Sequence, residues 1–266
     1  FIPIPEIQFL AYLHNAEDQL RGEAATLPFF SKGQFTNPMV LRVPGLAYQK
    51  GFGGHFHNDN SLTVFRDIPG IILAVPSNGS DAVKMLRTSV KEAYKNGRVI
   101  VFVEPIALYM TKDLHKPKDG EWLCIYPELE SEIPVGEFAV YGKSEILTII
   151  TYGNGLYLSL QAKKEIEKKI RKKIKVIDLR WLAPINYEGL IRNIEKCKNI
   201  LIVDECRKTG CHGEAILAKL LSVLNGKSKI ELHAAKDSFI PLGVSATSTL
   251  PSKKSIVQKA INLING

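Results

Sequence analysis

Short apolar, β-branched runs alternate along this chain with segments whose apolar residues recur every three or four positions. In the first half, MVLRV (39–43), IILAV (71–75) and VIVFVE (99–104) are bounded by Pro or Gly, as buried parallel strands are. Between the last two, Val83, Leu86, Val90 and Ala93 fall at helical spacing, and Ser80 or Asp81 is placed to cap the start. A further helix is predicted from Asn15, with Asp18 three residues on and Ala16, Leu20 and Ala24 sharing a face. In the second half, ILTIITY (146–152), IKVIDL (174–179) and NILIVDE (199–205) read as strands. Helices are predicted at about 156–172, 187–197, 213–224 and 252–264. The second of these starts at Asn186 and turns Leu190, Ile191, Ile194 and Cys197 to its apolar side. Strand–helix alternation with short connections predicts an α/β fold with a mainly parallel sheet covered on both faces.

Residues 112–137 interrupt this pattern. KDLHKPKDGE and YPELESEIPVGE are charged, Pro-rich and without periodicity, which predicts a linker between two domains. The expected organisation is a first α/β domain over residues 1–120, a linker over 121–137 and a second α/β domain over 138–266.

Composition adds a few exclusions. With 45% hydrophobic and 23% charged residues, the chain has material for a real core. Its net charge of +8 owes much to KKEIEKKIRKKIK (163–175), where Leu160, Ala162, Ile166 and Ile170 share one helical stripe and the lysines take the solvated side. Nucleic-acid binding calls for aromatics or a groove motif beside such charge, and neither is present. No apolar run has the length of a membrane span, and FIPIPEIQF lacks the basic flank of a signal peptide. The absence of an initiating Met suggests a start inside a larger protein. Cys124, Cys197, Cys206 and Cys211 form no disulfide framework, so reduced thiols in a cytosol-like compartment are expected.

No phosphate-binding P-loop and no nucleophile elbow occurs. The Gly-rich QKGFGGHF does not open a helix after a strand, as a dinucleotide fingerprint must. The next stretch, GGHFHNDNS, places His55 and His57 two apart on a polar segment. Three readings are open: a metal pair, a catalytic histidine with a neighbour, or two loop residues. On an extended strand the two imidazoles would face the same way, but no third ligand is evident nearby.

A set of segments in order carries a family resemblance: PIPEIQFLAY, SKGQFTNPMVLRVP, GGHFHNDNS, DIPGIILAVPSNGSDAVKMLR and VIVFVEPIALY, then TYGNGLYLSLQA, VIDLRWLAPIN, VDECRKTGCHGEAI and TLPSKKSIVQKAI. Together they resemble the beta subunit of thiamine-diphosphate-dependent 2-oxo acid dehydrogenases, the decarboxylating component of the pyruvate and branched-chain complexes. The resemblance implies a transketolase-like pyrimidine-binding domain lacking its N-terminal part, then a transketolase C-terminal-like domain. It implies oxidative decarboxylation of a 2-oxo acid, of pyruvate or branched-chain type, with acyl transfer to a lipoyl group.

The same resemblance assigns roles. His57, twelve residues before Pro69-Gly70, matches the family's active-site histidine. The family follows that histidine with Ser-Gln-Ser, where this chain has Asn58-Asp59-Asn60. An imidazole titrates near neutrality and can hold a substrate carboxylate or move a proton. Gln8, Phe9 and Tyr12 match positions that border the cofactor's aminopyrimidine ring, whereas Arg42, Glu104 and Pro105 are read as structural. The family's catalytic glutamate lies upstream of the EIQF motif, and the chain begins after that point; a truncated first sheet with an exposed edge is the expected consequence. The family's potassium-binding loop corresponds to EAYKNGR, which reads as altered here.

The implied cofactor is thiamine diphosphate, shared with an alpha subunit or an upstream half of a fused chain, with Mg2+ held outside this chain. The implied partners are that alpha portion, a second beta copy and a lipoyl acyltransferase core; neither nucleic acid nor membrane is expected. The implied location is the cytoplasm in a bacterium or the mitochondrial matrix in a eukaryote. A transketolase-like enzyme that moves two-carbon ketol units and a non-catalytic docking fragment are the alternative functions.

Overall fold

The computed structural model describes residues 1–47 and 54–266. The Gly-rich run before His55, weighed above as a dinucleotide fingerprint, falls almost entirely outside the described residues. The first half opens with a helical stretch: a 3-10 segment (Leu10–Asn15), α1 (Glu17–Gln19), a π turn (Leu20–Ala24) and α2 (Leu27–Phe30). The predicted cap at Asn15 is not used; the chain runs through Ala16 with no side-chain cap, although Leu20 and Ala24 are buried as their spacing required. Then follow β1 (Met39–Gly45), β2 (Ile72–Ala74), α3 (Gly79–Asn96) and β3 (Val99–Pro105).

The start of α3 is set by Asn78 rather than Ser80 or Asp81. The Asn78 side chain accepts from the Asp81 N–H at 2.9 Å, and Gly97 ends the helix in the left-handed region that favours glycine. In the second half come β4 (Ala139–Tyr141), β5 (Leu147–Thr151), α4 (Asn154–Ile170), β6 (Lys175–Asp178), β7 (Trp181–Ala183), α5 (Tyr187–Ile194), β8 (Asn199–Arg207), α6 (His212–Leu224), β9 (Lys229–Ala235) and α7 (Lys253–Asn265). Strands β4, β7 and β9 were not predicted. The first two are only three residues long, and β9 is half-exposed, so none shows an uninterrupted apolar run.

The strands form two sheets, in the orders β1-β3-β2-β7 and β4-β6-β5-β8-β9. Every pairing among β1, β2 and β3 is parallel, as are those among β6, β5, β8 and β9. The antiparallel additions are β7 and β4. The edge of β1 is not left bare as truncation predicted. Residues 3–7 lie along it: Val40 N–H donates to Pro3 O at 3.1 Å, Arg42 N–H to Pro5 O at 2.9 Å, and Ile7 N–H to Arg42 O at 3.0 Å. Pro3 and Pro5 accept but have no N–H of their own, so they cover the edge without offering a new row of donors.

Two features modify the two-domain picture. β7 belongs by sequence to the second half but completes the sheet of the first. Arg180, in the left-handed region, reverses the chain after β6, and its carbonyl accepts from Val75 N–H at 2.8 Å. Trp181 thereby enters a core with Val40, Ile72, Ala74, Met85 and Phe102. The linker is also docked rather than loose. Asp119 accepts four backbone N–H bonds from residues 114–121, and Gln161, Tyr157 and Thr88 donate to backbone carbonyls of Leu114, Asp113 and Ile133. Polar, aperiodic sequence here encodes side-chain-to-backbone turns, which periodicity does not detect. Among the described residues, no helix is long and apolar enough to cross a membrane.

Asp178, at the end of β6, is fully buried at the seam between the halves. One oxygen accepts from the Ser77 hydroxyl at 3.0 Å; the other has no partner among the described residues. Burial pushes its pKa up to about 7, against the opposing pull of Ser77 and Arg180. An unfolded carboxyl ionises near its ordinary value, so between roughly pH 4 and pH 7 the folded chain holds a proton that the unfolded chain has released. Stability contributed by protonated Asp178 is therefore lost as pH rises through this window, by up to ~1.4 kcal/mol per pH unit. Asp178→Asn is expected to flatten that slope, and urea midpoints collected from pH 5 to pH 8 provide the check. An unchanged slope would assign the pH dependence to other groups.

Candidate active site

Of the four site residues predicted, the structure brings Phe9 and His57 together. Phe9 precedes the 3-10 segment at Leu10, and His57 closes a short 3-10 turn (His55–His57). Their ring centroids lie 4.4 Å apart with planes inclined at 62°, an edge-to-face contact between segments nearly fifty residues apart in sequence. Tyr12 sits one turn on, its N–H donating to Phe9 O at 2.9 Å, with its ring partly open to solvent. Gln8 is exposed beside Phe9. His57 is half-buried and His55 exposed. A tight turn replaces the extended strand on which two histidines would have faced the same way. Among the described residues, no group of three or more His, Cys, Asp or Glu is arranged to hold a metal.

The turn carrying His57 is held from the second half of the chain. Asn58, Asn60 and Ser61 are buried, which their polarity did not predict. Asn60 donates to the Glu205 carbonyl at 2.6 Å, and Ser61 donates to Asp59 at 2.6 Å. Arg207, at the end of β8, closes the set: it donates to Asn60 Oδ1 at 3.3 Å and to the Ser61 hydroxyl, and pairs with Asp59 at 3.6 Å. The several donors of the guanidinium thus engage three polar side chains at once.

A second clasp lies two residues earlier on β8, at Glu205. Asn154, the first residue of α4, donates its side-chain amide to Glu205 Oε2 at 2.6 Å and to Leu46 O at 3.1 Å, and its backbone N–H to Glu205 Oε1 at 3.0 Å. Position 153 must be glycine: its φ is +54°, and a Cβ there would lie 2.7 Å from Glu205 Oε1. Both ends of the segment between β1 and the His57 turn are therefore tied to β8. Sequence reasoning missed Asn60, Asn154, Glu205 and Arg207. The available signal was the charged DECR run that continues β8 past its apolar part, beside an unusually polar tetrad after His57.

Arg42 lies in the middle of β1, and Glu104 and Pro105 close β3. Arg42 makes a bidentate pair with Glu104 at 2.6 and 3.2 Å and a further contact with Glu6 at 3.1 Å. Tyr109 donates to the same Glu104 at 2.5 Å; burial, then that hydrogen bond, pushes its phenol well above the ordinary range. This group borders a cleft of about 810 Å³ that is closed by Trp122, Cys124 and Tyr126 of the docked linker and includes none of the four predicted site residues.

Comparison with known proteins agrees with the motif reading. Residues 136–250 match the family described as Transketolase, C-terminal domain. The chain is 29% identical over 267 residues to the pyruvate dehydrogenase E1 component subunit beta of Staphylococcus epidermidis (strain ATCC 12228 / FDA PCI 1200), covering 98% of this chain and 75% of that protein. The same figures hold for the subunit of that name from Staphylococcus aureus (strain N315). Among solved structures, a split-gene transketolase in an inactive beta4 tetramer matches with a TM-score of 0.72 over 99% of this chain and 75% of that one, at 16% identity, a likeness of fold. The resemblance to a transketolase-like 2-oxo acid dehydrogenase beta subunit holds along the length of the chain.

Proposed function

We propose that this chain is the beta component of a thiamine-diphosphate-dependent 2-oxo acid dehydrogenase, with His57 as its active-site imidazole. The observation that carries the assignment of the site is the Phe9–His57 contact, which joins two motifs far apart in sequence on one face. The alternative of ketol transfer is supported by a family match over residues 136–250 and a likeness of fold, whereas the likeness to the pyruvate dehydrogenase subunit runs through the sequence of nearly the whole chain.

The donor set suits the aminopyrimidine half of the cofactor: an aromatic face at Phe9, an amide at Gln8 and a phenol at Tyr12, all reachable from solvent. It does not suit the diphosphate and its Mg2+. Those groups are assigned to an alpha partner, as the family resemblance implies. Bound thiamine diphosphate supplies the carbon nucleophile and electron sink that decarboxylation of a 2-oxo acid requires.

This chain's contribution is positioning and proton handling. Phe9 packs its ring against the imidazole edge-to-face and limits its rotation. The Arg207 clasp fixes the backbone that follows His57. An imidazole so held can donate to a substrate carboxylate and carry a proton while the acyl group moves to a lipoyl arm. A heterotetramer of two alpha and two beta chains docked on a lipoyl acyltransferase core is the assembly this role requires. The proposed location is the cytoplasm of a bacterium or, in a eukaryote, the mitochondrial matrix.

The test is reconstitution. The 266-residue chain alone is expected to show no decarboxylation of pyruvate or of a branched-chain 2-oxo acid and only weak affinity for thiamine diphosphate. Mixed with its alpha chain, it is expected to co-elute in gel filtration as a heterotetramer and to acquire lipoyl-acylating activity. Turnover by the isolated chain, or co-elution without any activity on either acid, would refute the assignment.

A further inference from the structure

A second cavity, of about 510 Å³, opens between the two halves on a different set of residues. Arg66 and Arg98 contribute from the first half, Tyr187 and His212 from the second, and Pro69 and Pro184 form part of its wall. Cavities between packed units of a chain are the usual place for small-molecule sites.

The charges around this cavity are one-sided. Arg66 donates to the carbonyls of Gly210 and Cys211, the latter at 2.8 Å, and Arg98 donates to Gly70 O at 3.2 Å. Among the described residues these carbonyls are the only hydrogen-bond partners of the two guanidiniums, and neither is ion-paired with a carboxylate. Each keeps N–H donors unused, since a guanidinium carries five. The acid in the first turn of α6, Glu214, is already engaged by the Gly210 N–H at 2.6 Å.

His212 is the first residue of the 13-residue α6, at the end of the helix that carries partial positive charge. Its side chain is buried, and its Nδ1 has no hydrogen-bond partner among the described residues. Burial, then the charge of Arg66, pushes its pKa down to about 3, so the ring is neutral across the physiological range. Burial raises the Tyr187 phenol while the same Arg66 charge pulls it down, which brings Arg66 electrostatically within reach of both rings. Two guanidiniums without a carboxylate partner and the His212 ring border one hollow whose walls are otherwise largely apolar, while the N-terminus of α6 is already capped by Asp204, which accepts from the Gly213 N–H at 2.8 Å.

We propose that this cavity binds a small organic phosphate monoester: a compact, partly apolar body carrying one doubly charged group. Two unpaired guanidiniums call for two negative charges, and guanidinium forks match phosphate oxygens in geometry. The volume exceeds the requirement of inorganic phosphate, and the proline walls suit an apolar substituent. The site shares no residue with the His57 face, so it stands or falls independently of the function proposed above.

The experiment is calorimetric titration of the 266-residue chain with phenyl phosphate, inorganic phosphate and benzoate at low ionic strength. Phenyl phosphate is expected to saturate one site and to bind at least about tenfold more tightly than either of the others. Arg98→Gln removes a guanidinium that holds a single backbone carbonyl; it is expected to weaken phenyl phosphate at least about tenfold with little change in thermal midpoint. Arg66→Gln is expected to do the same, and because Arg66 also anchors the turn before α6, its folding is checked by circular dichroism. Lys164→Gln, on the solvated side of α4, is the control for net charge and is expected to change nothing. Absence of saturable binding, equal affinity for benzoate, or equal loss with Lys164→Gln and Arg98→Gln would each overturn the proposal.

Discussion

In the assembled enzyme, His57→Ala is expected to lower lipoyl acylation by ~10²–10⁴-fold, the usual cost of losing a positioned acid–base group. Stability should change little. His57 is half-buried on a short turn, and its edge-to-face contact with Phe9 is worth about 1 kcal/mol. The turn itself remains tied down by Asn60, Ser61 and Arg207, none of which needs the imidazole. His55→Ala, on the same turn but exposed, is the internal control and should stay near the wild-type rate. Both variants are to be assayed for acylation and for thermal midpoint. Equal, small losses would make the pair two loop residues. Equal, large losses with released metal would restore the reading as a metal pair. A large loss confined to His57, at an unchanged midpoint, is the result the site geometry calls for.

Trp181→Ala is expected to destabilise the chain by ~3–5 kcal/mol, the range for emptying a large aromatic from a packed core. Trp181 is 1% exposed, pairs with Ala74 of β2 and packs in one cluster with Val40, Met85 and Phe102. It is delivered there by the second half of the chain, so its loss removes core from the first sheet and loosens the join between the halves. Trp181→Phe should recover most of the stability. It keeps an aromatic in place and deletes an indole N–H that has no partner among the described residues. Urea unfolding gives the measurement. A fall in midpoint at constant slope is the expected result, with hydrogen exchange rising first in β2. A loss under about 1 kcal/mol would mean that the halves are joined mainly through the polar clasps at Asn154 and Arg207.

How much of this was legible in the sequence differs between the elements and the site. All six predicted strands exist, because runs such as VIVFVE and NILIVDE are long enough for burial on both faces to show as continuous apolar sequence. The helices at α3, α4 and α6 follow from 3.6-residue periodicity, and the lysines of α4 face solvent around buried Ala162 and Ile166. His57, Gln8, Phe9 and Tyr12 were reached through motifs in register, which carry order along the chain but no distances. The clasp was not legible, since a polar tetrad after a histidine reads equally well as a solvated loop.

What the sequence determined by itself is what short-range physics determines: the type and approximate limits of each main element and the face each helix buries. Those properties depend on neighbours within a few residues, so local spacing encodes them. Tertiary structure alone decided that Arg207 would close on Asn60, 147 residues away, that Trp181 would complete the other half's sheet, and that Phe9 would meet His57. Each of those contacts matches donors, charges or volumes between segments that share no local pattern. Two arginines far apart in sequence, Arg66 and Arg98, likewise come to border one cavity only when the two halves pack. Charge in a sequence can be counted at once, but whether it is compensated depends on which carboxylates the fold brings near.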